Sequence, residues 1–110
     1  MAAFSFFSRR KSNKIQSLWP SKFRKLITEK PIQLVDVRTL EEFKQHKIEG
    51  AQLIDIYDSN FEEIVDTKLD VSIPVAVYCH SGIRSINAAK ILAKKGFKVY
   101  NLRGGMIFWR

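Results

Sequence analysis

The stretch that decides the fold reads Val75-Ala76-Val77-Tyr78-Cys79-His80-Ser81-Gly82-Ile83-Arg84-Ser85. Its first four residues are apolar and predict a buried strand, which ends at the only cysteine of the chain. A short loop with one glycine follows, and Arg84 opens a segment with helical spacing of apolar residues. A strand, a tight loop and a helix N-terminus surround one point with backbone N–H groups and positive helix-dipole potential. The residue at that point is a thiol, and such surroundings favour its thiolate form.

Strands and helices are predicted to alternate along the rest of the chain. The predicted strands are 32–37, 51–56, 75–78 and 97–102, and the predicted helices are 20–30, 40–45, 60–67, 84–95 and 106–109. This alternation predicts an α/β fold, with a central parallel β-sheet flanked by helices on both faces. The strand at 75–78 is expected to be central because it is apolar on both faces. Ligands of such sheets bind beyond the carboxyl ends of the strands, where Cys79 lies.

Two local patterns predict where helices begin and end. Thr39 and Glu42 have the spacing of a capping box at the start of the helix at 40–45. Gly96 suits the position just after the helix at 84–95, where a left-handed backbone conformation is common.

The formal net charge of +8 is spread unevenly over the 110 residues. Residues 1–30 hold eight Lys and Arg against one Glu, whereas residues 31–110 hold 11 basic and 10 acidic residues. We therefore expect a basic, poorly ordered N-terminal arm at 1–17 and one domain at 18–110. No nucleic-acid partner is expected, since that function calls for a basic patch on the folded surface.

Composition also bears on location and on bound groups. No apolar run approaches the roughly 18 residues of a membrane span, so no transmembrane segment is expected. One cysteine and two distant histidines favour neither a disulfide framework nor a metal site. A lone thiol suits a reducing compartment and predicts a cytoplasmic protein. The Arg- and Ser-rich start of the chain, which lacks acidic residues, keeps an organellar transit peptide open as the alternative.

The length of the cysteine loop distinguishes between kinds of chemistry. Cysteine phosphatases place five residues between their cysteine and arginine, whereas four residues lie between Cys79 and Arg84. The smaller ring of amides suits one large, soft anionic atom, such as a persulfide sulfur, better than a phosphate. Gly82 lets the backbone turn sharply, and Arg84 can bind an oxyanion or a nearby carboxylate. No acidic residue follows Asp70, so the site is expected to be electropositive.

Four segments resemble, in the same order, the signatures of single-domain rhodaneses, which are thiosulfate sulfurtransferases. They are Asp36-Val37-Arg38 with Glu41-Glu42-Phe43; His46-Lys47-Ile48-Glu49-Gly50-Ala51; Cys79 to Ser85; and Gly96-Phe97 through Leu102-Arg103-Gly104-Gly105 with Trp109. Lys47 is extra relative to the second signature. The resemblance covers roughly residues 18–110.

The resemblance implies a rhodanese-like fold and a two-step transfer of sulfur through Cys79. The Cys79 thiolate would take a sulfane sulfur from a small anionic donor and become a persulfide, which backbone N–H groups of residues 80–84 would hold. A thiol, cyanide or a sulfur-relay protein would then accept that sulfur. The implied binding loop is His80, Ser81, Gly82, Ile83, Arg84 and Ser85, in which Arg84 and Ser85 shape the loop and help to hold an anionic donor. No metal or organic cofactor is implied.

Residues outside the loop are expected to support it. Asp36 and Arg38 end a strand on the same side of the sheet, and we expect an anchor that joins Arg38 to Glu41 or Glu42. His80 is expected to be an exposed residue that tunes local charge, with proton transfer as the alternative. Trp109 is expected to fill the core near the C-terminus.

Other functions stay open on the sequence. The fold could serve as an interaction module with an idle thiol, although the intact loop argues against this, or as a non-catalytic sulfur carrier. A small phosphatase or arsenate reductase is a further alternative, against which the loop length argues. The basic segment 1–30 could bind DNA or a membrane independently of any catalysis.

Overall fold

The computed structural model describes residues 14–110. In chain order its elements are β1 (Ile15–Leu18), α1 (Pro20–Glu29), β2 (Gln33–Asp36), α2 (Leu40–Gln45), β3 (Gln52–Leu53), α3 (Phe61–Lys68), β4 (Val75–Tyr78), α4 (Ile83–Lys94), β5 (Val99–Leu102) and a 3₁₀ helix (Gly105–Phe108). Every predicted helix is confirmed to within one residue at each end. The predicted strand 51–56 is shorter than expected, because only Gln52–Leu53 pairs with β2 as a regular strand.

The five strands form one parallel sheet in the order β1-β5-β4-β2-β3. β4 therefore lies at the centre, as its sequence predicts, and all four of its residues are buried. Val77 lies between Val35 of β2 and Asn101 of β5 in the register. Because all strands run the same way, the loops that follow β2, β4 and β5 meet at one edge of the sheet.

Hydrophobic cores lie on both faces of the sheet, which confirms the predicted α/β fold with helices on both faces. One core packs alternate residues of β2, β4 and β5 against α3 and α4; its members include Val35, Val77, Val99, Phe61, Val65 and Leu92. The other packs the remaining strand residues against α1 and the C-terminal segment, and includes Leu34, Ala76, Tyr78, Leu102, Phe23 and Trp109. Trp109 is half-buried there and meets Phe23 edge to face, as expected of a residue that fills the core.

The edge strand β1 was not predicted. Ile15 to Leu18 pair residue by residue with Val99 to Leu102, so the expected boundary between residues 17 and 18 cuts through a strand. The pattern is hard to recognise because Gln16 and Ser17, in the middle of the strand, are both exposed. Their backbone finds its partners only in β5, far along the chain. Residues 1–13, and with them most of the expected arm and transit peptide, lie outside the described residues.

Both predicted helix ends are confirmed. The Thr39 hydroxyl accepts a hydrogen bond from the Glu42 N–H while the Glu42 carboxylate accepts one from the Thr39 N–H, which makes a complete capping box. Gly96 has φ +103°, and its N–H and that of Phe97 donate to the carbonyls of Ala93 and Leu92. This is the hydrogen-bonding pattern of a Schellman motif.

Candidate active site

The cysteine loop is a four-residue connection, residues 79–82, between β4 and α4. Cys79 follows the last residue of β4 directly, and α4 begins at Ile83 after Gly82. Gly82 has φ +102°, a conformation that favours glycine. A Cβ atom at this position would lie 3.3 Å from the backbone nitrogen of Gly104, so the glycine also allows the loop to pack closely against the C-terminal segment.

Three hydrogen-bonding groups converge on the sulfur atom of Cys79. The N–H of Gly82 lies 3.0 Å from Sγ, the N–H of Ser85 lies 3.3 Å away, and the Ser85 hydroxyl lies 3.3 Å away. Cys79 and Ser85 are both fully buried. Ser85 lies in the first turn of α4, so the positive end of the helix dipole faces the sulfur. The two N–H groups donate to Sγ, while the Ser85 hydroxyl accepts from the Cys79 thiol and can donate to Sγ once the thiol is ionised. All three groups are placed to stabilise negative charge on Sγ.

The other loop residues turn away from the sulfur. His80, Ser81 and Ile83 are exposed, and none of their side chains makes a hydrogen bond to Sγ within the described chain. The expected exposure of His80 is confirmed. Of the two N–H donors, Gly82 lies within the expected range 80–84, whereas Ser85 lies just beyond it.

Arg84 is held by a carboxylate that the sequence analysis placed elsewhere. Its Nη1 lies 2.8 Å from Oε1 of Glu42, and its Nη2 lies 3.0 Å from Oε2, a two-point ion pair between α4 and α2. The Arg84 hydrogen bond is the main reason why the pKa of Glu42 is lowered to about 2. The same hydrogen bond is the main reason why the pKa of Arg84 is raised. The expectation of an electropositive site is thus wrong for Arg84, because the fold brings Glu42 to it across 42 positions of sequence.

Asp36 and Arg38 form a buried ion pair at the end of β2. Arg38 Nη2 lies 2.7 Å from Asp36 Oδ2, and the side chains are 5% and 0% exposed. The same guanidinium donates to the backbone carbonyl of His46. The expected anchor between Arg38 and Glu41 or Glu42 is therefore wrong, since Asp36 is the partner of Arg38 and Glu42 is the partner of Arg84.

This buried pair lies beside Tyr78, the residue that directly precedes Cys79. The Arg38 guanidinium lies 5.6 Å from the ring centroid of Tyr78, which directly precedes Cys79. The Tyr78 hydroxyl accepts a hydrogen bond from the Ile48 N–H, and burial is the main reason why the pKa of Tyr78 is raised. Asp36 and Arg38 make no hydrogen bond to Sγ in the part of the chain that is described. Both side chains are therefore neighbours of Tyr78 and not hydrogen-bond partners of the sulfur.

The 3₁₀ helix binds the backbone of the cysteine loop, a contact that the sequence did not predict. The N–H of Met106 donates to the Cys79 carbonyl at 3.0 Å, and that of Ile107 donates to the His80 carbonyl at 3.1 Å. These bonds hold the two carbonyls on the side of the 3₁₀ helix. Gly105 passes so close that a Cβ atom there would lie 2.3 Å from the His80 carbonyl oxygen. The Gly104-Gly105 pair, part of the fourth segment that resembles the rhodanese signatures, was the available signal in the sequence.

Two further features of residues 14–110 are relevant to function. No cluster of three or more His, Cys, Asp or Glu side chains in this range could hold a metal ion. Among the helices of the same range, none has the length and apolar character needed to cross a membrane.

A comparison with known families decides what kind of domain this is. The family model described as "Rhodanese-like domain" matches residues 20–110. The chain belongs to the rhodanese-like domain family. Its parallel five-stranded sheet and flanking helices are the architecture shared with solved rhodanese-like domains. One of these, the rhodanese-like domain protein from Staphylococcus aureus, is 28% identical with a TM-score of 0.76, and the match covers 86% of this chain and 91% of that one.

Sulfurtransferases are among the relatives of this rhodanese-like domain. Thiosulfate sulfurtransferase GlpE from Shewanella oneidensis is 36% identical over 81 residues, which are 73% of this chain and 77% of the relative. A tRNA sulfurtransferase from Desulfurococcus amylolyticus is 38% identical over 77 residues, or 70% of this chain. A tRNA uridine(34) hydroxylase from Pelagibacter ubique is 35% identical over 100 residues, or 88% of this chain.

These relatives differ greatly in length. The matched region spans 14% of the tRNA sulfurtransferase and 33% of the tRNA hydroxylase. The tRNA chemistry in those two names is therefore said of the longer proteins. The family and the names of its relatives together support a sulfurtransferase-type enzyme.

Proposed function

We propose that this rhodanese-like domain moves a sulfane sulfur from a donor, either thiosulfate or another persulfide, to a thiol or cyanide acceptor through a persulfide on Cys79. The observation that carries the proposal is the convergence of the Gly82 N–H, the Ser85 N–H and the Ser85 hydroxyl on Sγ. Two N–H donors and a hydroxyl that can donate to the ionised sulfur suit a thiolate nucleophile.

In the first step the Cys79 thiolate attacks the outer sulfur of the donor. A new S–S bond forms at Sγ while the donor's own bond to that sulfur breaks, and the leaving group departs with the electron pair. Thiosulfate would leave as sulfite and an organic persulfide as a thiolate. In the second step the acceptor attacks the outer sulfur of the persulfide, and the Cys79 thiolate is regenerated. Cyanide would leave as thiocyanate, and a thiol as a new persulfide.

Unused backbone donors support the proposal that the loop holds the outer sulfur. The N–H groups of His80, Ser81, Ile83 and Arg84 donate no hydrogen bond to any other described residue. Free donors next to a reactive atom can stabilise charge that develops there during the reaction. We propose that they face the outer sulfur of the persulfide, and that Arg84 and Ser85 shape this cradle.

The remaining roles follow from the same geometry. Asp36 and Arg38 would act as positioning residues behind Tyr78. The reaction needs neither a metal nor an organic cofactor. A sulfur-relay protein could act as donor or acceptor, and a reducing compartment such as the cytoplasm would keep Cys79 as a free thiol.

Intact-mass measurement tests the proposal. The purified, reduced protein is mixed with thiosulfate or with an organic persulfide. We expect a gain of one sulfur atom that cyanide or dithiothreitol reverses, and no gain in the Cys79→Ser variant. If the wild-type protein carries a free, reduced Cys79 and gains no sulfur from either donor, the domain is an interaction module. Turnover of an aryl phosphate would instead favour a phosphatase.

A further inference from the structure

Arg84, the cationic side chain next to Cys79, already takes part in an ion pair. Both ends of the Arg84 guanidinium are bound by the two carboxylate oxygens of Glu42, at 2.8 and 3.0 Å. Such a two-point pair occupies the Nη1–Nη2 edge of the guanidinium, one of the edges with which an arginine can bind an oxyanion. An anionic donor that binds the remaining N–H groups of Arg84 would meet a guanidinium whose charge Glu42 already balances.

Glu42 is itself held firmly in place. Its Oε1 accepts hydrogen bonds from both the N–H and the hydroxyl of Thr39, each at 3.1 Å. The carboxylate is thus part of the start of α2 and is not a freely moving surface group. Because its pKa is lowered to about 2, it stays ionised throughout the physiological pH range.

Apolar side chains are exposed beside Arg84 and on the 3₁₀ helix that binds the loop. Ile83 is 69% exposed, and Tyr57 is 70% exposed with its ring centroid 5.9 Å from the Arg84 guanidinium. Ile107 of the 3₁₀ helix is 50% exposed and its N–H binds the loop at His80. The mouth of the loop therefore combines a compensated ion pair with exposed apolar side chains.

We propose that Glu42 determines which donors the site accepts. By holding Arg84 it balances the one formal positive charge among the side chains at 81–85, so that the preferred donors are persulfides carried on an uncharged body, and small free anions are disfavoured. This inference rests on the proposed function and specifies its substrate class. Glu42 would act through Arg84 and would be a positioning residue, not a catalytic one.

Two persulfides of similar size test the inference because they differ in charge. One is the persulfide of 2-mercaptoethanol, whose body is uncharged, and the other is the persulfide of 2-mercaptoethanesulfonate, whose body is anionic. Sulfur transfer from each to cyanide is measured as thiocyanate for the wild-type protein and for Glu42→Gln, Arg84→Gln and Glu41→Gln. Gln at position 42 can still accept the Thr39 hydrogen bonds, so α2 keeps its cap. Glu41 is exposed and takes part in no ion pair among residues 14–110, which makes it the matched control.

We expect the wild-type protein to have a lower KM for the uncharged donor. In Glu42→Gln the KM for the anionic donor should fall about tenfold, the effect of one partly screened charge contact, while kcat and the KM for the uncharged donor change less than about twofold. In Arg84→Gln the unpaired Glu42 should repel the anionic donor, so its KM should rise. Glu41→Gln should match the wild type with both donors.

Opposite signs for the two variants distinguish a charge effect from a structural one. If both variants raise the KM for both donors alike, the ion pair serves only to hold the loop and the inference is wrong. If Glu42→Gln leaves the preference between the two donors unchanged, the inference is wrong as well. If no sulfur reaches Cys79 from either donor in the wild type, it is the proposed function that fails.

Discussion

Gly105 offers a sharp test of how the 3₁₀ helix supports the cysteine loop. In Gly105→Ala the new methyl group would lie 2.3 Å from the His80 carbonyl oxygen and 2.7 Å from that of Cys79. Ordinary contact between carbon and oxygen is about 3.3 Å, so the 3₁₀ helix would have to move by about 1 Å. That movement would stretch the hydrogen bonds of Met106 and Ile107 to those two carbonyls, which are now 3.0 and 3.1 Å long.

The expected cost can be worked out against a matched glycine. Gly50 also has positive φ, +90°, but a Cβ atom there would meet nothing within 4 Å. Gly50→Ala should therefore carry only the backbone cost of a left-handed alanine, about 1 kcal/mol. Gly105→Ala carries the same cost together with two weakened hydrogen bonds of about 1 kcal/mol each, which makes about 3 kcal/mol. For a domain of this size each kcal/mol lowers Tm by roughly 4–8 °C, so the variant should melt more than about 12 °C below the wild type.

Two measurements check this prediction. Urea unfolding followed by tryptophan fluorescence gives the free energy of unfolding of wild type, Gly50→Ala and Gly105→Ala. Mass spectrometry gives the rate of sulfur loading on Cys79, which should fall at least about tenfold in Gly105→Ala and stay unchanged in Gly50→Ala. Equal stability losses in the two variants, or normal sulfur loading in Gly105→Ala, would refute the view that the 3₁₀ helix orients the loop.

Further predictions concern the groups that bind the sulfur and those that lie behind it. Ser85→Ala removes the hydroxyl that lies 3.3 Å from Sγ and can donate to the thiolate, so sulfur loading should slow about tenfold, as for one hydrogen bond to a charged group. An exposed control, Ser59→Ala, should keep the wild-type rate, and equal rates in the two variants would show that the Ser85 hydroxyl has no role. Asp36→Asn leaves the buried Arg38 charge without its partner and should lower the free energy of unfolding by about 3–5 kcal/mol. Asp66→Asn, at the exposed Lys95 pair, should lower it by less than about 1 kcal/mol, and a similar loss in both variants would contradict the importance of burial.

The local elements of this protein could be predicted because their signals lie within a few residues of one another. An apolar run followed by a glycine and a helical repeat is enough to predict β4, the loop and α4. The capping box of Thr39 and Glu42 and the glycine after α4 also depend only on neighbouring residues, and the structure confirms both. The central place of β4 follows from its apolar faces, since only a strand covered on both sides can lack polar residues.

The partners of the charged groups depend on the tertiary structure. Glu42 and Arg84 are 42 positions apart and meet because β2 and β4 are adjacent and parallel, so that α2 and α4 both begin at the same edge of the sheet. The sequence does not show that β2 and β4 are adjacent, and it therefore predicted Arg38, the nearer but wrong partner, for Glu42. β1 was missed for the same reason, since a short edge strand with polar residues depends on the backbone of β5.

In the cysteine loop, too, some features follow from the local sequence and others from the tertiary structure. Its sequence by itself determined that a thiol stands where a strand meets a helix, because that placement is local. Only the tertiary structure decided that Ser85 turns its hydroxyl to Sγ, that the 3₁₀ helix takes up the carbonyls of Cys79 and His80, and that Glu42 compensates Arg84. The physical reason is that each of these contacts joins segments whose distance in space is determined by the order of strands in the sheet, which no local pattern encodes.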